Sequence, residues 1–433
     1  MISIIKNINN YIWSAPMILL LMGTHIFFTF RLGFIQKKTF RGIKYSVTND
    51  LSSEGDISSF ATLATTLAAT IGTGNIVGIS TAVAMGGPGA IFWCWLTGIL
   101  GMATSYAECY LSFLFRRKTK DGTFLGGPMY ILEDGLHSKF LGWIFAFFTL
   151  IASYGVGCST QSNSITAATT SLWGFSPYFV GFLVSILVGL VIVGGVEKIG
   201  QVCVKLVPAM GAFYIIGCFI ILFLNYDYII NAAELIVKSA FSPHALTGGI
   251  LGNTMKAAAR YGISRGLFTN EAGLGSAGIA AASAKTNDPS RQALVSMTAT
   301  FWDTVIMCAI TGLVIVTNII KLPDSIIGFT FGELTSAAFR QIPYIGEPML
   351  GISLIAFAIA TLLGWSFFGE RACEYLFGKK SINLYRIGYM VMIFLGAIMS
   401  LDLVWELSDL VNAFMAFPNL IGILCLHRLI KTR

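Results

Sequence analysis

The sequence predicts an all-α membrane protein of about eleven transmembrane helices, one N-terminal helix followed by two five-helix repeats of opposite orientation. Three observations carry this. Of the 433 residues, 55% are hydrophobic and only 11% are charged, against roughly 25% charged in a soluble domain. The apolar residues fall in long unbroken runs, most of them near the ~20 residues that cross a hydrocarbon core of ~30 Å. Two of those runs carry glycine-rich breaks, five spans apart. Charge this sparse excludes a soluble enzyme, a disordered chain and a secreted disulfide scaffold. Transmembrane strands would alternate polar and apolar residues over ~10 positions, and these runs do not.

The first run, 13–34, is too long for the apolar core of a signal peptide and has no small-residue cleavage site. The next five are 57–84, 88–115, 140–170, 178–196 and 204–224, and the first of them is interrupted by Gly72-Thr-Gly-Asn-Ile-Val-Gly78. The seventh, 247–284, is too long for one straight span and too short for two with a loop. Its middle, Gly262 to Ser276, is glycine-rich and polar. Then follow 292–317, 349–369, 385–401 and 406–427.

Basic residues collect in cytoplasmic loops, which tests the span count. With the N-terminus outside and the C-terminus in the cytoplasm, 21 basic residues fall inside. They run from Arg31, Lys37, Lys38, Arg41 and Lys44 to Arg428, Lys431 and Arg433. Only Lys6, Lys238, Lys321 and Arg340 fall outside, and Lys256, Arg260 and Arg265 lie within the seventh run. The net charge of +7 is therefore a topology signal and not a nucleic-acid footprint. The α-helical bundle belongs in the cell membrane, the inner one where there are two.

With 13–34 set aside, ten runs remain in two sets of five, 57–224 and 247–427, each opening with a broken element. Five is odd, so the second set enters the membrane from the opposite side. Paired breaks of this kind point to a substrate site near the midplane. An unwound stretch frees backbone groups that lipid cannot satisfy, and a carboxylate or a sodium ion can. Close helix packing explains a single glycine-rich helix, and Gly74 and Gly78 do form a GxxxG spacing. It explains two breaks in register less well. The glycines at 72–78 do not follow the dinucleotide-binding spacing. The eight cysteines lie in or beside apolar runs with no metal-ligand spacing, and the four histidines are scattered, so no cofactor and no bound metal other than a coupling ion is expected.

The stretches around the breaks are Ala68-Ala-Thr-Ile-Gly-Thr-Gly-Asn-Ile-Val-Gly78, Gly86-Gly-Pro-Gly-Ala90 and Gly101-Met-Ala-Thr-Ser-Tyr-Ala-Glu108. They continue with Gly126-Gly-Pro-Met-Tyr130, Gln161-Ser-Asn163, Gly266-Leu-Phe-Thr-Asn-Glu-Ala-Gly-Leu-Gly-Ser276, Gly364-Trp-Ser366, Gly369-Glu-Arg371 and Ser400-Leu-Asp-Leu-Val-Trp405. In this order the chain resembles the alanine or glycine:cation symporter family, the sodium:alanine symporters. The resemblance implies a single transporter domain over 1–433 with a LeuT-type core of five plus five inverted helices and one extra N-terminal helix. It also implies import of small neutral amino acids such as L-alanine and glycine, with Na+ as coupling ion, and no obligate protein partner.

The candidate substrate residues are Gly72, Thr73, Gly74 and Asn75 at the first break, Gln161 in the third core helix, Phe268, Thr269 and Asn270 at the second break, and Trp365 in the eighth. Asn75 can contact substrate or cap the half-helix after the break; the resemblance favours contact. Gln161 can reach the substrate or, like Asn163, bond between helices. Trp365 can wall a small side-chain pocket or simply fill the core. The candidate cation or coupling residues are Thr70, Glu271, Thr361 and Ser366. Hydroxyl oxygens suit a hard cation, and Glu271 is ionisable at membrane depth. The LeuT-type fold implies a sodium between the first and eighth core helices. Glu108, Asp303 and Asp409 are further acids in or near spans, with pairing to Arg260 or Arg265 and a gating role both open for the first two. A proton-coupled carrier with Glu271 or Glu108 as the titrating group is the nearest alternative. A membrane enzyme lacks a catalytic constellation, a primary pump lacks a nucleotide-binding motif, and a channel lacks a repeated filter.

Overall fold

Lipid offers a backbone no hydrogen bonds, so each spanning segment must satisfy its own. Apart from a short hairpin pairing Arg117–Lys118 with Phe124–Leu125, every regular element among the described residues is accordingly helical. The computed structural model describes residues 2–13, 15–48, 54–242, 255–326, 332–399 and 401–432. Residues 247–254 of the seventh run, Ser400 and the side chains of 401–405 and Asp409 lie outside the described part.

The helices are α1 (Ile2–Ile12), α2 (Ala15–Arg31), α3 (Thr39–Val47), α4 (Ser59–Thr70), α5 (Val77–Gly86), α6 (Gly89–Leu114), α7 (Lys139–Trp173), α8 (Pro177–Ile192) and α9 (Gly195–Leu224). There follow α10 (Ile229–Phe241), α11 (Met255–Asn270), α12 (Ser276–Ala282), α13 (Pro289–Lys321), α14 (Leu334–Phe339), α15 (Gly346–Phe377), α16 (Ile382–Ile398) and α17 (Leu401–Cys425). Among the described residues, six helices are long and apolar enough to cross a membrane, up to eight if each bent pair is one span, and α8 and the Leu410–Cys425 part of α17 are shorter apolar helices. The apolar runs thus mark real helices. The pattern did not announce α1, α3, α10 and α14, which flank or connect the spans.

Segments that the charge rule puts on one side do lie together. Arg291 in the first turn of α13 bonds Thr48 after α3, Lys379 pairs with Asp121, and Tyr106 reaches the Lys431 carbonyl. At the opposite end, Lys321 caps α9 through the Leu224 carbonyl at 2.8 Å. The extra helix α2 packs on α6, where buried His25 bonds Thr104 at 2.7 Å through Nδ1.

The seventh run shows one difference from expectation. The helix does not break across Gly262–Ser276 but continues to Asn270, and the turn occupies 271–275. Gly262 and Gly266 serve packing instead. A Cβ there would meet the Ala90 carbonyl at 2.2 Å and the Thr97 hydroxyl at 2.2 Å, so α11 and α6 approach backbone to backbone.

Candidate functional site

The first break begins where α4 loses its ladder. Ile71 is extended at ψ 92°, Gly72 is extended at φ −137° and ψ −155°, and a short turn over Thr73–Asn75 leads into α5. The two half-helices diverge by 59°. The Gly72 N–H donates to Asn75 Oδ1 at 2.9 Å, so the amide caps the turn it sits in. Larger residues do not fit: a Cβ at Gly72 would stand 2.7 Å from Thr361 Oγ1, and one at Gly74 would stand 2.6 Å from Thr269 Cγ2.

The second break turns through left-handed backbone at Glu271 (φ 54°), Gly273 (φ 91°) and Gly275 (φ 88°). Such a conformation costs a non-glycine residue ~1–3 kcal/mol and persists only where its surroundings enforce it. They do so at Glu271. Trp365 donates its indole N–H to Oε1 at 3.1 Å and Ser276 donates its hydroxyl to Oε2 at 2.5 Å. The Gly273 N–H donates to Glu108 Oε2 at 3.2 Å, and Asn419 donates to the same oxygen at 3.1 Å and to the Gly273 carbonyl at 2.9 Å.

A matching brace holds the first break. Asn75 Nδ2 donates to Asp303 Oδ1 at 2.6 Å and lies 3.3 Å from Cys308 Sγ. Asp303 and Cys308 sit in a wide, π-type stretch of α13 over Phe301–Cys308, a distortion that recurs at functional sites. Glu108 and Asp303 therefore bond to the breaks and to polar neighbours, and their partners are not Arg260 or Arg265.

All thirteen candidate residues are buried, and the first break touches the end of α11 just before the second, since a Cβ at Gly74 would meet both Thr269 and Phe268. Thr361 lies against the first break, its hydroxyl 3.5 Å from the Ile71 carbonyl and 3.1 Å from that of Phe357. Gln161 Oε1 lies 3.6 Å from where a Gly72 Cβ would be, while its Nε2 is held by the Val156 carbonyl at 3.1 Å. Among the described residues, Thr70 Oγ1, Thr73 Oγ1, Gln161 Oε1 and Asn270 Nδ2 are buried without a hydrogen-bond partner. Three of these four are oxygens, the donor type that a hard cation takes. Ser366 bonds back to the Leu363 carbonyl at 2.7 Å within its own helix. Asn163 bonds across to the Gly396 and Met399 carbonyls. Trp365 packs on the π-type stretch Gly155–Ser159 of α7, where a Cβ at Gly157 would collide with it at 2.1 Å.

A family profile described as the sodium:alanine symporter family matches residues 1–433. The chain belongs to this family. The sodium/alanine symporter AgcS of Methanococcus maripaludis is 46% identical over 432 residues, which cover 98% of this chain and 94% of that protein. Among solved structures, a substrate-bound, outward-open Na+-coupled sialic acid symporter matches with TM-score 0.59 at 12% identity, over 97% of this chain and 99% of that one. MhsT in complex with L-phenylalanine matches with TM-score 0.60 at 16% identity, over 86% and 89%. At these identities the likeness concerns the fold, which is LeuT-type. As a sodium:alanine symporter family member the chain is a multi-pass membrane transporter and not an enzyme.

One end of the site is closed by contacts that sequence reasoning missed. Ile57 and Ala284 form a parallel bridge, joining the segment before α4 to the one after α12. Arg116 donates to the Ala284 carbonyl at 2.8 Å and that of Thr286 at 3.0 Å. Buried Arg371 at the end of α15 faces Asp56 at 3.6 Å and Glu374 at 2.8 Å. Burial raises the Asp56 carboxyl above the ordinary range, although the Phe124 N–H and the Arg371 and Arg116 charges pull the other way. Cys308 and Asn419 were also missed, for no spacing ties them to the breaks, and Ser276 was visible only as the end of the second glycine-rich stretch. Arg371 was visible only as part of a family motif.

Proposed function

We propose that the chain is a secondary active symporter that imports small neutral amino acids, alanine and glycine with serine at the edge of the range, driven by the sodium gradient. Its repeats run over 57–224 and 247–427, with 13–34 as the added helix. The N-terminus lies outside and the C-terminus in the cytoplasm. The observation that carries this reading is the contact of the first helix break with the end of α11 just before the second, beside buried, unpartnered polar atoms. The amino-acid carboxylate meets the freed N–H groups near Gly74 and Asn75, and its ammonium meets carbonyls of the second break. Phe268 and Trp365 limit the side chain. Sodium is bound by oxygens of the first break and Thr361, with Thr70 and Ser366 as further candidates. It favours the state in which the substrate site is formed. One bundle then rocks against the rest to expose the site on the other side. The sodium/alanine name of the M. maripaludis relative supports the substrate and the ion.

The test is uptake of labelled L-alanine into proteoliposomes of the purified, monodisperse protein. Accumulation under an inward sodium gradient is expected, with competition by glycine and little by phenylalanine. Absence of uptake under either a sodium or a proton gradient overturns the reading. The buried carboxyls of Glu108, Glu271 and Asp303 favour a second reading, the same carrier coupled to protons. Uptake that follows a pH gradient in sodium-free buffer selects it.

A further inference from the structure

The helix α3 precedes the first break and lies against the start of α13. Pro16–Arg31 and Ile35–Val47 form a pair bent by 67°, so the chain leaves the α2 direction sharply. The residues of α3 then divide among three faces. Thr39, Gly42 and Ser46 are buried against the protein, and the contact is close: a Cβ at Gly42 would lie 2.3 Å from the Leu294 carbonyl. Phe40 and Val47 are 79% and 70% exposed. At ~100° per residue in a helix they fall on one side of the remaining surface. Arg41 and Lys44, both exposed, fall beside them, with exposed Lys37 in the preceding turn.

Exposed aromatic and branched side chains beside a row of basic ones mark a helix lying in the membrane interface. Phe30 and Phe34, also exposed, continue the apolar edge back to the end of α2. Among the described residues Lys37, Arg41 and Lys44 make no ion pair with an acid, and the salt bridges all lie elsewhere. Lys37 and Arg41 instead lie over the rings of Phe34 and Tyr45. That arrangement leaves the outward charge to a partner that is anionic at one end and apolar at the other.

We propose that α3 is a docking shelf for anionic phospholipids, with Lys37, Arg41 and Lys44 on the phosphate headgroup and Phe40 and Val47 among the acyl chains. The shelf is joined to the transport core. Arg291 donates to the Thr48 hydroxyl at 2.9 Å and lies over the Tyr45 ring at 4.8 Å, so a bound lipid holds the start of α13 at the membrane surface.

The experiment titrates the detergent-solubilised full chain with phosphatidylglycerol or phosphatidylcholine and counts bound lipid by native mass spectrometry. The wild type is expected to prefer phosphatidylglycerol. The combined Lys37→Gln, Arg41→Gln and Lys44→Gln variant is expected to lose that preference by at least about ten-fold, while the Lys379→Gln and Lys380→Gln variant keeps it. Equal binding by wild type and the triple variant overturns the proposal. So does an equal loss in the Lys379 and Lys380 variant, which would mean that basic charge anywhere suffices. Displacement of the lipid by an equal concentration of glycerol 3-phosphate also overturns it, since the site would then take a free phosphate. If the triple variant does not elute as a single species, Arg41→Gln and Lys44→Gln are made singly, and each is expected to weaken phosphatidylglycerol binding several-fold.

Discussion

Trp365 donates its indole N–H to Glu271 across 3.1 Å, and this bond joins α15 to the strained turn between α11 and α12. The tryptophan is wholly buried and is itself held against Gly157. A change in the position of α15 relative to α7 therefore reaches the second break directly.

Trp365→Phe keeps most of the ring volume and deletes the donor. A buried acceptor left unpaired costs ~1–3 kcal/mol, more when charged. The expected result is a thermal unfolding midpoint lowered by a few degrees together with weaker alanine binding. An unchanged midpoint and affinity would show that Ser276 alone holds Glu271.

Asn75→Ala and Asn75→Asp should differ in a diagnostic order. Alanine removes the acceptor of the Gly72 N–H and the donor to Asp303. Aspartate keeps the shape but sets a second carboxyl against Asp303. If the amide is a brace, aspartate is the more damaging of the two at neutral pH, both in thermal midpoint and in uptake. Equal midpoints for the two variants, with only substrate affinity changed, would instead mark Asn75 as a substrate ligand.

Gly74→Ala places a methyl 2.6 Å from Thr269 Cγ2 and forces the first break away from the end of α11. Uptake should fall at least ~ten-fold while folded yield changes little, because overpacking by one carbon costs ~1–3 kcal/mol. Thr269→Ser removes the offending methyl and keeps the hydroxyl. The double variant should recover much of the lost uptake, and its failure to do so would place the damage elsewhere.

Asp56 gives a pH prediction. Burial raises its carboxyl above the ordinary range, so the folded chain holds this proton more tightly than the unfolded one. Its contribution to stability is fully present below the unfolded value and is lost as pH rises through the folded one. Asp56→Asn should therefore match or exceed the wild-type thermal midpoint at neutral pH, with the difference shrinking as pH falls toward the carboxylate range. A large destabilisation at neutral pH would show that the Arg371 contact outweighs burial.

Most of the architecture was legible because lipid leaves a chain few options. Long apolar runs became helices close to where they were read, and Gly72–Gly78 marked a true break. What the pattern could not place depends on distant contacts. Gly262, Gly266 and Gly273 look alike in sequence, yet the first two face α6 and only the third turns the chain. Periodicity likewise cannot reveal the π-type stretches of α7 and α13, which carry Cys158 and Asp303. Twelve of the thirteen candidate residues lie in the glycine breaks and family motifs, and Thr361 came from the sodium position that the resemblance implies. That Asn75 is braced by Asp303, and Glu271 by Trp365, needed coordinates.

The braces on the two breaks link the two halves of the chain. Glu108, in α6, bonds the turn at Gly273, and Asp303, in α13, bonds Asn75 in the first break. During synthesis Asn75 therefore lacks its Asp303 partner until residue 303 has been made. A chain stopped before that point carries the first break without this brace, whereas two halves made as separate polypeptides still contain both partners of each bond.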